Sequence, residues 1–460
     1  MARDWIRLPS YSSKDEAEKC APDGWQALQI EQLYEQLPVG KRFEQKTSLP
    51  VGRVPVIDQS AAGIVGWHNE APGVSASSKS PVVTFANHTC EMRLMERPFS
   101  VIQNVFPLVG RDNVCRTKFF YYLTKGRVWL EEYKGHFPDF RRKWILCPPY
   151  RDQERLTKVL GDLDKKISLN LSSNQTLEAM AQAIFQSWFV EFDPVKAKIA
   201  AKQEGRDPLR AAMTAVSGKA DAELDALPPE QYEQLAATAA LFPDEMEESE
   251  VGEVPKGWSV GTLSNFASFQ NGYAFKTKDW TDSGHPVVKI GNVKPGIIDL
   301  SGCSLVAHET VNGLDRFALK KGDLLVGMTG YVGETGLVPA LYSVAYLNQR
   351  VGRISTVNGV SDIGYPFCLV RDPAYKAYAE SKAHGSAQAN VSGKDLMDYQ
   401  AVVPDAGVLK IFNAQVAKII NALLSYHEEN QSLAALRDTL LPRLLSGELL
   451  VADAMAEAVA

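Results

Sequence analysis

Few residues in this chain of 460 are spaced to do chemistry, and each candidate group lacks a part. Cys147-Pro148-Pro149-Tyr150 has the outline of a loop that holds an amine for methyl transfer. In such a loop the first side chain and a main-chain carbonyl accept the amine's hydrogens, and a thiol is a poor acceptor. No glycine-rich strand-to-helix loop precedes it to hold S-adenosylmethionine. A hinge between a globular body and a helix is the better reading. Gly327, Gly330, Gly333 and Gly336 lack the Gly-Lys-Ser/Thr ending of a phosphate-binding loop. The seven histidines show no His-Glu-x-x-His spacing, and His88 near Cys90 reads as a surface or core pair. Six cysteines, at 20, 90, 115, 147, 303 and 368, include no Cys-x-x-Cys pair. That argues against a zinc site or a disulfide scaffold and fits a reducing cytoplasm. The expectation is a chain with no catalytic residue, no metal ligand and no cofactor of its own.

A net charge of −6 is unpromising for a polyanion binder until it is divided. Residues 41–150 carry 16 basic and 9 acidic side chains, and residues 255–400 carry 14 and 12. Residues 191–253 carry 6 and 15, so the acid gathers in the middle. The distribution of charge, rather than its total, decides attraction to a polyanion. Residues 1–10 hold Asp4 and two arginines without an apolar run, so no signal peptide is expected. The longest apolar stretch, 179–190, is broken by Gln182 and Gln186 and falls short of the roughly 20 residues that span a bilayer. A soluble, cytoplasmic protein is expected.

A repeat announces the elements that position these residues. Pro22-Asp23-Gly24-Trp25 recurs as Pro255-Lys256-Gly257-Trp258, an offset of 233. Asn174-Gln175-Thr176-Leu177 recurs as Asn430-Gln431-Ser432-Leu433 at an offset of 256, which Pro148 and Pro404 also obey. Each half runs Gly-Trp start, globular body, Pro exit, long helix, while the interiors look unlike. One scaffold therefore carries two different heads.

Leu156, Leu160, Leu163, Ile167, Leu177, Ala181, Ile184 and Trp188 form a heptad seam. Phe412, Val416, Ile419, Leu423, Tyr426, Leu433, Leu440 and Leu444 form its twin, with Arg437 as a charged lapse. Strands are expected at 53–58, 81–85, 285–292, 323–327 and 351–354, and helical patches at 118–130 and 373–384. The fold class is α+β. Mixed α/β bodies at 1–150 and 254–404 are joined by long helices at 151–192 and 405–447. These helices should form an antiparallel coiled coil with a pseudo-twofold internal repeat. Residues 193–253 read as an acidic helical connector, with 244–253 a solvated spacer, and 448–460 as a tail.

At this point the motifs resemble a family. The stretch 160–193, with its Leu-Asp-Lys-Lys-Ile-Ser-Leu-Asn core and its Gln-Ser-Trp-Phe-Val-Glu-Phe-Asp-Pro close, is similar to the central conserved region of type I restriction-modification specificity subunits. Leu241-Phe242-Pro243 through Gly257-Trp258, Leu347-Asn348-Gln349-Arg350-Val351 and Leu441-Pro442-Arg443-Leu444-Leu445-Ser446-Gly447-Glu448 resemble it too. The resemblance implies two target recognition domains that read the halves of a bipartite, asymmetric double-stranded DNA site. It implies two modification (methyltransferase) subunits and two ATP-driven restriction subunits as partners, which would hold the S-adenosylmethionine, ATP and Mg. This chain would be a non-catalytic subunit in host defence. Two rival classes stand beside it: a fused enzyme that does its own methylation or cleavage, and a coiled-coil adaptor that binds only proteins.

Base readout needs Arg, Lys, Asn or Gln on groove-facing loops, and basic groups for phosphates. In the first body the candidates are Arg53, Gln59, His68, Asn69 and the cluster Arg141, Arg142 and Lys143. In the second they are Lys276, Lys278, Lys289, Asn292, Gln349 and Arg350, with Tyr331 to stack or touch phosphate. Asn170 and Asn174 interrupt the first seam, and Asn430 sits at the repeat position of Asn174. A buried amide needs a partner, so Asn174 and Asn430 are expected to meet side chain to side chain and set the register.

Overall fold

The computed structural model describes residues 5–449 apart from 133, 251 and 386–388, so most of the expected tail lies outside the described residues. The chain forms two compact units, one built from 1–168 with 430–460 and the other from 169–429.

The first body runs α1 (Lys14–Lys19), β1 (Gln26–Gln29), β2 (Tyr34–Gln36), β3 (Val54–Ile57), β4 (Ile64–His68), β5 (Val82–Ala86) and β6 (Met92–Met95). It continues through β7 (Ser100–Val101), β8 (Val105–Gly110), α2 (Thr117–Thr124), α3 (Phe137–Arg142) and β9 (Trp144–Cys147) into α4 (Gln153–Phe185). Strands pair in the orders β1-β9, β2-β8-β5-β6 and β4-β3-β7. The expected helix at 118–130 stops at Thr124 because Gly126 turns to a φ of +86°. Phe85, Phe119, Phe120 and Phe140 fill the core together with Leu156 and Leu160 of α4.

Beyond α4, a π-helical turn at Gln186–Val190 widens the helix so that both Trp188 and Phe189 enter the core. Four helices follow: α5 (Asp193–Gln203), α6 (Pro208–Ser217), α7 (Asp221–Leu224) and α8 (Pro229–Ala240). The connector is more than a spacer, because Ala212, Met213, Leu224 and Ala239 give it a small core of its own. In the acidic run Glu245, Glu247, Glu248 and Glu250 are exposed, and the backbone is folded. It makes a hairpin of β10 (Met246–Ser249) and β11 (Gly252–Pro255), anchored where Lys256 meets Glu245 at 2.5 Å.

The second body runs β12 (Ser259–Thr262), β13 (Ser268–Asn271), β14 (Trp280–Thr281), β15 (His285–Val288), β16 (Gly296–Ile297), β17 (Ser304–Val306) and β18 (Leu324–Gly327). It closes with β19 (Thr335–Leu337), β20 (Tyr346–Leu347), β21 (Val351–Ser355), α9 (Gly364–Arg371), α10 (Pro373–Ser381), α11 (Gly393–Met397) and β22 (Gln400–Val403) before α12 (Ala406–Ser446).

The interiors that look unlike in sequence share one topology. β1 pairs with β9 at Gln26–Cys147, and β12 pairs with β22 at Ser259–Val403, which are the same two sequence offsets. The order β2-β8-β5-β6 is answered by β13-β21-β18-β19, with β16 added at the edge. The order β4-β3-β7 is answered by β17-β15-β20, with β14 added, and the last pair is parallel in both.

The two long helices pair antiparallel within each unit. In the first, Asp164 meets Arg437 at 3.1 Å, and Leu156 and Leu160 share a core with Leu440, Leu441 and Leu444. In the second, Ala181 and Phe185 pack with Phe412, Val416, Ile420 and Leu423. By length and hydropathy α12 could cross a membrane. Its apolar residues instead fill these protein cores.

Candidate nucleic-acid interface

In the second body three loops meet at one corner. Asn348 N–H donates to Val288 O at 3.2 Å, and Met328 N–H donates to Arg350 O at 3.0 Å. The hairpin loop between β18 and β19 is then fastened to the segment before α11, with Gly330 N–H on Ala389 O at 3.0 Å and Thr329 Oγ1 on Asn390 Oδ1 at 2.6 Å. Glycine is required here: a Cβ on Gly327 would sit 2.3 Å from Tyr331 O, and Gly330 and Gly333 take φ of +76° and +74°. The glycine run therefore shapes a loop that projects Tyr331, which is 62% exposed. Gln349 and Arg350 stand exposed on the neighbouring turn.

The base of this corner is rigid. Arg353 on β21, four residues past Gln349, donates from Nη1 to Asp323 Oδ2 at 3.0 Å and to Ala318 O at 2.9 Å. Its Nη2 donates to Gln270 Oε1 and Arg316 O at 2.6 and 2.8 Å. Gln349 N–H donates to Tyr273 O at 2.9 Å, and the chain from Tyr273 leads to Lys276 and Lys278. Both lysines are exposed, and neither forms an ion pair among the described residues.

Other expected contacts are committed inside the protein. Lys289 lies 3.5 Å from the Trp280 ring centre with Nζ on Ser304 Oγ at 2.7 Å, and burial lowers its pKa. Asn292 Nδ2 donates to Asp299 O at 3.0 Å while its Oδ1 accepts from Lys289 N–H at 2.9 Å. These two shape the loop after β15.

The first body repeats the corner with different side chains. Ile102 N–H donates to Ile57 O at 3.0 Å and Asn87 N–H to Asn104 O at 2.9 Å. Gln59 closes it from below, its Oε1 accepting from His88 N–H at 3.0 Å and its carbonyl from Thr89 Oγ1 at 2.6 Å. Gln59 is thus a brace rather than an exposed reader. His68 is a correction: only 4% exposed, it stacks on Phe43 at 3.9 Å. Its Nδ1 accepts from Glu70 N–H at 3.1 Å, so the neutral ring carries its proton on Nε2, 2.9 Å from Ser100 Oγ. Burial lowers its pKa, against the pull of Glu70.

Arg53 and Asn69 are exposed but hold each other, through Arg53 N–H on Asn69 Oδ1 at 3.0 Å and Nη2 on Asn69 O at 3.2 Å. Arg141 pairs with Glu31 at 2.9 Å and Arg142 with Asp139 at 3.2 Å, and Lys143 follows them into β9. That cluster flanks the β1–β9 scaffold and not the corner. Gln103 and Asn104, which stand on the corner, escaped the sequence reading. The available signal was Gln103-Asn104-Val105 against Gln349-Arg350-Val351, a short match at a third offset.

The first unit also has an open cavity of about 1600 Å³ beside β6, α2 and the start of α4. Several of its cations are paired: Lys118 with Glu96 at 2.5 Å, Arg116 with Glu154 at 3.3 Å and Arg437 with Asp164 at 3.1 Å. The rest of its lining is mixed in sign, with Lys79, Arg93, Arg97, Lys125, Lys158 and Lys165 beside Glu91, Asp112 and Asp162. Cys147 is buried, and Tyr150 lies 4.4 Å under the Arg116 guanidinium, as a structural hinge would. Among the described residues no three His, Cys, Asp or Glu gather as metal ligands.

In the helix pair, Asn174 differs from expectation. Its Nδ2 donates to the main-chain oxygen of Leu423 at 3.3 Å, and its buried Oδ1 has no hydrogen-bond partner. Asn170, 1% exposed, makes the side-chain contact instead, donating to Glu429 Oε2 at 2.8 Å.

Residues 255–434, the second body with most of α12, match the type I restriction modification DNA specificity domain. The specificity subunit of the type I restriction enzyme HindI from Haemophilus influenzae is 32% identical over 319 residues, 66% of this chain and 69% of that protein. The chain belongs to the type I restriction enzyme specificity subunits. The MjaVIII specificity subunit of Methanocaldococcus jannaschii is 24% identical over 44% of the chain and 49% of its own length. A solved type I S subunit from M. genitalium covers 92% of this chain and 96% of its own, at 14% identity and a TM-score of 0.48. A specificity subunit is the non-catalytic component of its enzyme and supplies DNA-sequence recognition. An exposed corner of amide, guanidinium and phenol groups suits that task.

Proposed function

We propose that the specificity subunit reads a split, asymmetric duplex DNA site, one half with each body. Two methyltransferase subunits would modify adenine beside it, and two ATP-driven restriction subunits would cleave. S-adenosylmethionine, ATP and Mg would then belong to those partners, and the complex would work in the cytoplasm. The observation that carries this reading is one topology used twice with different side chains at the same exposed corner: Tyr331, Gln349 and Arg350 in one body, Gln103 and Asn104 in the other. A shared frame with unlike tips suits two readers of two different sequences.

The test is to exchange residues 260–403 for the equivalent body of a relative and map the methylated sites of cells that also carry the partner subunits. One half-site should change and the other stay, with their centres separated by about one helical turn or a multiple of it. Both halves changing together would sink the two-reader model. Absence of salt-sensitive duplex binding by the assembled complex would favour a protein-only adaptor.

A further inference from the structure

The strand pairing permits a residue-by-residue superposition of the two bodies that the sequence does not offer. On the central strands, Thr84 faces Pro107 and Ala86 faces Val105, while Leu325 faces Arg353 and Gly327 faces Val351. On the parallel pairs, Val56 faces Ser100 and Val287 faces Tyr346. These four ladders place Val105 on Val351 and Ser100 on Tyr346. The turn between them, Ile102-Gln103-Asn104, therefore falls on Asn348-Gln349-Arg350. Main-chain bonds agree: Ile102 N–H to Ile57 O answers Asn348 N–H to Val288 O, and Asn87 N–H to Asn104 O answers Met328 N–H to Arg350 O.

From this superposition we infer that Gln103 and Asn104 are specificity-determining residues of the first body, standing where Gln349 and Arg350 stand in the second. Neither amide side chain forms a hydrogen bond among the described residues, and Gln103 is exposed. Gln59, whose amide is occupied by His88, is their support. Asn104 takes a left-handed φ of +65°, a strained conformation held by the Asn87 bond. The chemistry follows from the donor and acceptor pattern of an amide, which matches N6 and N7 of adenine, whereas a guanidinium matches O6 and N7 of guanine. The first body thus takes adenine at this corner.

The inference rests on the two-reader function, and one experiment separates them. The methylating complex, assembled with its partner subunits, is presented with duplexes randomised across each half-site, and the methylated products are sequenced. Gln103→Ala should lower discrimination for adenine at one position of one half-site by about ten- to hundredfold, with the other half unchanged. Asn104→Gly keeps the left-handed backbone and should act on the same half-site. Gln349→Ala should act on the opposite half. Unchanged base preference in the Gln103 and Asn104 variants overturns the inference, whatever Gln349→Ala does. If those variants hold preference while Gln349→Ala relaxes one half, the two-reader function survives without this assignment. A loss spread over both halves from any one of the three overturns both.

Discussion

Asn170 and Glu429 face each other across an antiparallel helix pair, with Asn170 Nδ2 donating to Glu429 Oε2 over 2.8 Å. A polar contact at 1% exposure inside a leucine seam ties one helix to a single position of the other.

Asn170 and Asn174 should therefore respond oppositely to leucine. Asn170→Leu removes a donor from a carboxylate and should cost about 2 kcal/mol. Asn174→Leu removes a long 3.3 Å bond together with a buried oxygen that lacks a partner, and should be neutral or stabilising. Urea midpoints of the two variants measure this. Equal losses at both sites would show that neither bond sets the register.

Arg353 holds the strand that begins at the Gln349–Arg350 turn. Its side chain is 13% exposed and pairs with Asp323 at 3.0 Å. Arg353→Met would leave Asp323 and two main-chain carbonyls without their donor, at a cost of about 3–5 kcal/mol. Denaturant titration should find the loss, and hydrogen exchange should place it in residues 268–355. A variant as stable as the parent would mean that the sheet is set by its ladder alone.

His68 makes the first body sensitive to acid. Its folded-state pKa lies below the ordinary value of about 6.5, so the unfolded chain takes up the proton more readily. Its contribution is complete above about pH 6.5 and is lost as pH falls below that. His427, lowered by burial in the other unit, adds the same trend. His68→Phe keeps the stack on Phe43 but cannot protonate, so its melting temperature should fall less between neutral and mildly acidic pH. Parallel pH curves for variant and parent would dismiss His68 as the cause.

Salt dependence should separate committed from uncommitted cations. Each phosphate contact contributes roughly 0.9 to the slope of log affinity against log salt. Replacing Lys276 and Lys278 with glutamine should flatten the slope by about one to two in the methylating complex. Replacing Arg141 and Arg142 with alanine should change it less, because Glu31 and Asp139 already engage them. The reverse order would move the interface to the β1–β9 scaffold.

The sequence by itself determined the scaffold. A heptad seam states its own burial, since period and side-chain type together define which face is dry, and Leu156, Leu160, Phe412, Val416, Leu440 and Leu444 are all buried. The matching Gly-Trp starts and Pro exits marked where each body begins and ends, because short-range turn chemistry survives in the residue types, and the structure places the pairs β1–β9 and β12–β22 just inside those borders. Only tertiary structure decided the interior. Fully buried strands such as β3 and β18 accept any apolar side chain of suitable size, so a topology shared by both bodies left little trace in residue identity. The same holds for the site. His68 and Lys289 have the residue types of surface contacts, and burial against Phe43 and Trp280 is what withdraws them. Gln103 has the same type as Gln59, yet one amide faces solvent and the other holds His88, a difference fixed by which loop lies against which.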